Sequence, residues 1–382
     1  MSKSHIYKII LLSISFKLLY IAFAFFLAEV KDDFSVEKSS DDIIRLFKRN
    51  DSFWYENIHD NGYPEINTKK DLGWHKNEIF HQSSWGFMPG YPLLVKTVST
   101  LFQCSFNSAS FSISILFSTL CFLVFYWLAT QWFQDTKNAF FATLLFICMP
   151  FQYYFSMMYT EAIFAFLLMG AFVCIQRKKY FVLSLFCAFM VILRANGLVM
   201  LLPLVLFLFE KEQLLVAYKL QPKIWSWSTL KKLSFLSLPL LCFGAYVLYQ
   251  YVRTGYPNAY SIAQQGGWYR EMMFPLAGLF RQGDFGTQFN SWYAILFMII
   301  AGFAWKRLPL SFNLIVWFNI LLPLSAGSST AMTRYISIIF PLFFVFAFWL
   351  RNIKWKYALL PVFTGLQLYM FYFWLISDDF SQ

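Results

Sequence analysis

Residues 180–209 read YFVLSLFCAFMVILRANGLVMLLPLVLFLF, an apolar run interrupted once, at Arg194-Ala195-Asn196-Gly197. As one helix the run is longer than a bilayer needs. As two passes, each half of about 14 residues reaches only about 21 Å at 1.5 Å per residue, short of a ~30 Å hydrocarbon core. The basic residues around it decide between the two. Arg177, Lys178 and Lys179 precede the run, and Lys211, Lys219, Lys223, Lys231 and Lys232 follow it. A single pass would put one of these clusters outside, against the positive-inside tendency; two passes put both on the cytoplasmic side. The break at Arg194–Gly197 then sits below the outer surface, where irregular backbone is tolerated only against protein or a cavity.

The rest of the chain supports the same reading. Of its 382 residues, 59% are hydrophobic, 22% aromatic and 13% charged, against roughly 45–50% apolar and about 25% charged in soluble domains. Runs of about 15–22 apolar residues recur throughout, which marks a polytopic membrane protein. Spans are expected at about 9–28, 109–130, 138–156, 159–176, 180–193, 197–209, 233–251, 291–305, 308–326, 334–350 and 356–376, as one all-α membrane domain over 1–382. With the N-terminus inside, Lys3 and Lys8, Lys137, Lys306 with Arg307, and Arg351, Lys354 and Lys356 all fall on the cytoplasmic side. The net charge of +11 is thereby explained by orientation, and nucleic acid is not expected as a partner. The first run, about 9–28, is too long for a signal-peptide core and is expected to be a retained span. The six cysteines stand singly, without metal-type spacing, and read as packing residues.

This topology gathers polar groups on the non-cytoplasmic side: a large first loop at 29–108, a turn at Tyr159-Thr160-Glu161, the break at Arg194, a loop at 253–290 and a turn at 327–334. Residues 31–50 mix charges with Ile43, Ile44, Leu46 and Phe47 and predict a surface helix that delivers Asp51. Asp51, Glu161, Arg194, Asn196 and Arg334 thus come from five parts of the chain to one side. Ionisable residues at such depth are costly and mark function by default.

The motifs carrying these residues resemble a known family. Asp51, followed by Trp54-Tyr55, Ile58 and Gly62-Tyr63, resembles the acidic first-loop motif of PIG-V-type mannosyltransferases, members of the GT-C glycosyltransferase superfamily. Phe87-Met88-Pro89-Gly90-Tyr91-Pro92 is similar to that family's Phe-Phe-Pro-x-x-Pro segment, and Tyr159-Thr160-Glu161-Ala162-Ile163-Phe164 to its Tyr-(Ser/Thr)-Glu-x-x-Phe. Arg194-Ala195-Asn196-Gly197 resembles Arg-Ser-Asn-Gly, and Arg334-Tyr335 with Pro341 resembles the late Arg-Tyr…Pro segment. The order is preserved from residue 51 to 341. Two departures stand out: Asn50 occupies a position where the family often has Trp, and the insertion Glu65–Gln82 is longer than usual.

The resemblance implies a GT-C fold of about 11 transmembrane or re-entrant helices, with short helices in the first loop. It also implies inverting transfer of a hexose, mannose in this family, from a polyprenyl-phosphate sugar to an acceptor hydroxyl. The acceptor would be a glycolipid, a glycan or a protein, at a bacterial inner membrane or, in a eukaryotic cell, the endoplasmic reticulum membrane. Such chemistry needs a carboxylate to take the hydroxyl proton and cations to stabilise the departing phosphate. Asp51 is the candidate base; its ordinary alternative is a helix cap before Phe53. Arg334 and Arg194 are candidates for the donor phosphate, with a structural pairing to Glu161 the alternative for Arg194. Glu161, Asn196, Tyr63, Tyr91 and Tyr335 are candidate substrate-binding residues, and Trp85 and Trp268 candidate sugar-stacking rings; interfacial aromatics are common without such roles.

His59, His75 and His81 share the first loop with Asp60, Asp71 and Glu78 but lack compact ligand spacing, so no metal site is assigned; the resemblance leaves a divalent cation open. Two other classes compete. A lipid or oligosaccharide flippase or transporter would place charges along a midplane path, often with repeat symmetry, and the polar residues here gather on one side instead. A non-catalytic subunit of the same fold differs only in lacking transfer activity.

Overall fold

The computed structural model describes residues 2–30, 39–66, 69–72, 82–216, 218–280 and 283–376. Among the described residues the protein is all-α apart from one hairpin, β1 (Leu215–Val216) against β2 (Lys219–Leu220). The first pass is α1 (Lys3–Val30); the first loop holds α2 (Ser40–Arg45), α3 (Asp51–Asn61) and α4 (Gly90–Phe102). The central helices follow: α5 (Phe106–Phe133), α6 (Thr136–Cys148), α7 (Glu161–Gln176), α8 (Tyr180–Leu193) and α9 (Leu201–Lys211). The short α10 (Trp227–Leu233) leads into α11 (Ser237–Thr254), and α12 (Ala259–Trp268) lies in the next loop. The chain ends with α13 (Phe285–Ala304), α14 (Leu310–Ser325), α15 (Met332–Ser337), α16 (Pro341–Leu350) and α17 (Leu359–Leu375).

Among the described residues, five helical stretches are long and apolar enough to cross a membrane, including α1, α5 and the continuous Trp227–Thr254. Five shorter apolar helices and α9 complete the polytopic pattern expected from the hydropathy. The packing follows the solvent each face meets. Helix α7 is buried along almost its whole length between α5, α8 and α9. Helix α1 turns Leu11, Leu18 and Phe26 outward, where acyl chains solvate apolar side chains as well as a core does. Around α5 to α7 the core is aromatic, with Phe125 stacked on Phe344 at 5.2 Å and Phe122 edge-on to Phe146 at 5.7 Å. Two polar groups on α1 are paired with protein at depth, where no water would serve them. Lys17 Nζ donates to Ser118 Oγ at 2.8 Å, and Tyr20 donates to Gln367 Oε1 at 2.9 Å.

Two expected spans are shorter helices than the hydropathy implies, and both differences have a proline at their origin. The segment expected as 138–156 stops as α6 at Cys148; Met149 is extended (ψ 141°) ahead of Pro150, and a 3₁₀ turn covers Gln152–Ser156. A residue preceding proline is pushed out of the helical region. The segment expected as 334–350 divides into α15 and α16, with Pro341 opening α16, where its missing N–H is harmless. Helix α16 has 10 residues, about 15 Å long, roughly half of a ~30 Å hydrocarbon core. The expected surface helix over 31–50 falls partly outside the described residues; α2 covers Ser40–Arg45, with the Ser39 hydroxyl accepting from the Asp42 N–H at its start.

The orientation of α7 and α8 matters most for function. Helix α7 begins at Glu161 and ends before Arg177, and α8 returns to end at Leu193, so Glu161 and Arg194 meet at one end and the Arg177–Lys179 cluster lies at the other. The first loop is fixed to that same end through Gly90. A Cβ there would lie 2.8 Å from the Ile192 carbonyl oxygen and 2.8 Å from Leu193 Cα, in backbone that cannot swing aside. Gly90→Ala is therefore expected to lower stability by about 1–3 kcal/mol through overpacking, read as a drop in apparent unfolding temperature of the purified protein. An unchanged unfolding temperature would show that α4 can slide on α8.

Candidate active site

A cavity of about 480 Å³ opens at this end of the bundle, walled by the first loop, the α8–α9 break, α15 and the end of α12. Asp51 starts α3, but it does not cap it. The capping position is Asn50, whose side chain makes no cap bond. Asn50 has φ 45° and Ala331, ahead of α15, has φ 66°. These left-handed conformations cost L-residues energy and turn up where geometry is imposed from outside. Here they aim the first turns of α3 and α15 at one another. Asp51 Oδ2 accepts from Arg334 Nη2 at 2.6 Å, across 283 residues of sequence. Asp51 Oδ1 has no protein partner among the described residues, and Asp51 lines the cavity.

Behind this pair lies Glu161, fully buried. Its Oε1 accepts from Arg194 Nη1 at 2.6 Å and forms an ion pair with Arg334, whose Nε lies 2.7 Å away without hydrogen-bond geometry. Thr160 adds an acceptor for Arg194 Nη1 at 3.0 Å. Two guanidinium groups thus share one carboxylate, and one of them reaches a second. Such charge-assisted bonds offset the desolvation that buried ions otherwise cost. Aromatic faces complete the cage: Arg334 sits 4.6 Å above the Tyr159 ring and Arg194 5.2 Å from the Tyr335 ring, distances at which a cation is attracted by the ring.

The structure sorts the residues singled out by sequence into two sets. Asp51, Arg194, Asn196, Arg334 and Tyr335 all line the cavity. Asn196 does not satisfy the broken backbone of its own loop; its Nδ2 donates to Asn319 Oδ1 of α14 at 3.2 Å. Glu161, Tyr63, Tyr91 and Trp85 are not in the cavity wall. Glu161 is the counter-charge beneath it. Tyr63 donates to the Phe87 carbonyl at 2.8 Å and packs 4.5 Å from Trp85, while Tyr91 is hydrogen-bonded to Ser110 at 2.5 Å. Tyr63 and Trp85 hold the first loop together from within, and Tyr91 ties it to α5. Tyr63→Phe is expected to cost about 1 kcal/mol, the worth of one net hydrogen bond, visible as a small fall in unfolding temperature with substrate KM values unchanged. A raised KM at wild-type stability would return Tyr63 to the substrate site.

His59 faces away from this chemistry, held by Asp60 at 2.6 Å and Ser99 at 2.8 Å. His75, Glu78 and His81 lie outside the described residues. Among the described residues no group of three His, Cys, Asp or Glu side chains gathers. The cavity also contains Trp54 of the first-loop motif and three residues that motif reading did not select, Tyr260, Gln264 and Arg270. Arg270 stands two residues after Gly266-Gly267-Trp268, and no motif or spacing in the sequence sets it apart.

A protein-family model for mannosyltransferase (PIG-V) matches residues 75–277, just over half of the chain. The chain belongs to the PIG-V mannosyltransferase family. No curated protein matches it. The family match takes in the Pro89-Gly90 segment, the Thr160-Glu161 turn, the Arg194 break and the α12 loop. Asp51 and Arg334 lie on either side of it and join the family region through the ion pairs described above. With its apolar helices, the PIG-V family protein is an integral membrane glycosyltransferase.

Proposed function

We propose that the protein transfers a hexose, mannose by family, from a polyprenyl-phosphate sugar to an acceptor hydroxyl with inversion, on the non-cytoplasmic face. The observation that carries this reading is the Asp51–Arg334 pair in the cavity wall, with Asp51 Oδ1 beside it free of protein partners among the described residues. The acceptor oxygen forms a bond to the anomeric carbon as the bond from that carbon to the phosphate oxygen breaks. The hydroxyl proton passes to Asp51, and the polyprenyl phosphate departs with the bonding pair. A carboxylate fixed by one oxygen to a guanidinium presents the other in one direction, which is what a general base needs. The cationic wall offers stabilisation where phosphate charge develops.

The positive-inside distribution of Lys and Arg supports the non-cytoplasmic face, since the Arg177–Lys179 cluster lies at the far end of α7 from the cavity. The test uses the full chain in lipid nanodiscs, radiolabelled polyprenyl-phosphate mannose, and a lipid and glycan extract of the source membranes as acceptor. Label passing to the extract and stoichiometric release of polyprenyl phosphate is the expected result. Absence of transfer from this donor, with transfer from a nucleotide sugar instead, would overturn the reading.

A further inference from the structure

The segment from Ala259 to Phe280 bridges the cavity and is fixed on both banks. On the first-loop side, Trp268 lies against Gly86, where a Cβ would meet its ring at 2.5 Å, and Gln264 Nε2 donates to the Gly86 carbonyl at 2.5 Å. On the other side, the Met273 N–H donates to the Ser325 carbonyl at 2.9 Å, at the end of α14. Between the anchors Tyr269 takes a left-handed turn (φ 51°), and Arg270 enters the cavity wall.

The charges around it do not balance. Arg334 is committed to Asp51 and Glu161, and Arg194 to Glu161. Arg270 donates to the Tyr335 hydroxyl at 3.3 Å and, among the described residues, has no carboxylate partner. Its neighbour Glu271 is exposed and makes no ion pair with it. Tyr335 stands between Arg270 and Arg194, so three guanidinium groups share a small volume with two carboxylates. The remaining positive charge resides on Arg270. A partly buried, unneutralised guanidinium beside a cavity is poised for an anion, and its planar fork matches phosphate oxygens. The strap that carries it also exposes Met272, Phe274 and Phe280. In a bilayer those side chains belong among acyl chains, at the depth of a lipid's phosphate.

We propose that Arg270, rather than the arginines already neutralised by Asp51 and Glu161, is the principal phosphate clamp for a lipid-linked donor. This rests on the transferase reading above and names the residue that holds its leaving group. The strap fixes the clamp in the wall of the same cavity that Asp51 lines, so the phosphate and the base act on one reacting carbon there.

The experiment measures binding of polyprenyl phosphate and of unphosphorylated polyprenol of equal length to the full-length protein in nanodiscs. Wild type is expected to prefer the phosphate by at least about tenfold, the size of a charge-assisted contact. Arg270→Ala should abolish that preference and Arg270→Lys should keep part of it, since the charge stays and the fork is lost. Unfolding temperatures report whether each variant is folded, and Arg270→Lys carries the test should the alanine variant not fold. A folded Arg270 variant with the wild-type preference overturns the assignment and leaves the transferase reading standing if transfer persists. No phosphate preference in wild type overturns the clamp; if transfer from the lipid-linked donor is also absent, the function falls with it.

Discussion

Asp51→Asn is expected to lower kcat by roughly 10²–10⁴-fold, the usual contribution of a positioned general base, with donor KM changed by no more than a few-fold. The substitution keeps the shape of the side chain and an oxygen able to accept from Arg334 Nη2, while removing the ability to take a proton. Arg334 retains Glu161 at 2.7 Å, so the wall of the cavity has a remaining tether. The helix start is equally unaffected, because the capping position is Asn50 and not Asp51. Steady-state transfer and the unfolding temperature of the same preparation are the two measurements. A kcat within about threefold of wild type in a folded Asp51→Asn protein would remove the base from Asp51. The expected pattern, loss in kcat without loss in donor binding, is that of a group acting in the transition state.

The second large effect is expected at Glu161, and it is one of stability. Glu161→Ala leaves Arg194, only 8% exposed, with no carboxylate, and takes from Arg334 one of its two. Breaking a buried ion pair from one side costs about 3–5 kcal/mol, because the surviving charge remains out of water without compensation. Glu161→Gln should fall between that variant and wild type, since a neutral amide oxygen still accepts but carries no charge. Loss of folded protein on extraction, or a steep fall in apparent unfolding temperature, is the expected readout. A Glu161→Ala protein as stable as wild type would show that Thr160 and the aromatic faces suffice to hold Arg194. The two substitutions separate function from architecture: one carboxylate fails in catalysis with the fold intact, the other fails in the fold itself.

That separation was only partly legible before the chain was seen folded. The break at Arg194–Gly197 was legible because Arg, Asn and Gly inside an apolar run have no place facing lipid, whatever the tertiary structure. The order of α7 and α8 followed from the lysines and arginines at their far ends, through a rule that acts on charge alone. That Tyr63, Tyr91 and Trp85 lie outside the cavity wall was not legible, for a different reason. An aromatic ring near a membrane surface has the same sequence signal whether it lines a cavity or packs beneath it. In the fold, Tyr63 and Trp85 bond the first loop to itself, and Tyr91 bonds α4 to Ser110 of α5. The lengths of α6 and of the α15–α16 pair were missed because hydropathy averages over Pro150 and Pro341, whose effect is on backbone bonding and not on polarity.

What the sequence determined by itself is the solvent of each part of the chain. Apolar runs must be helices in lipid, charges must leave it, and the few polar residues left at depth must meet one another on the side the basic clusters do not occupy. What only the tertiary structure decided is the pairing among those residues. Asp51 and Glu161 look alike in sequence, as do Arg194, Arg270 and Arg334. Which carboxylate stays open to the cavity, and which guanidinium stays unpaired, depends on contacts between helices up to 283 residues apart. Electrostatic neutralisation falls off over a few ångströms, so it is a property of the packed arrangement and has no counterpart in the order of the residues.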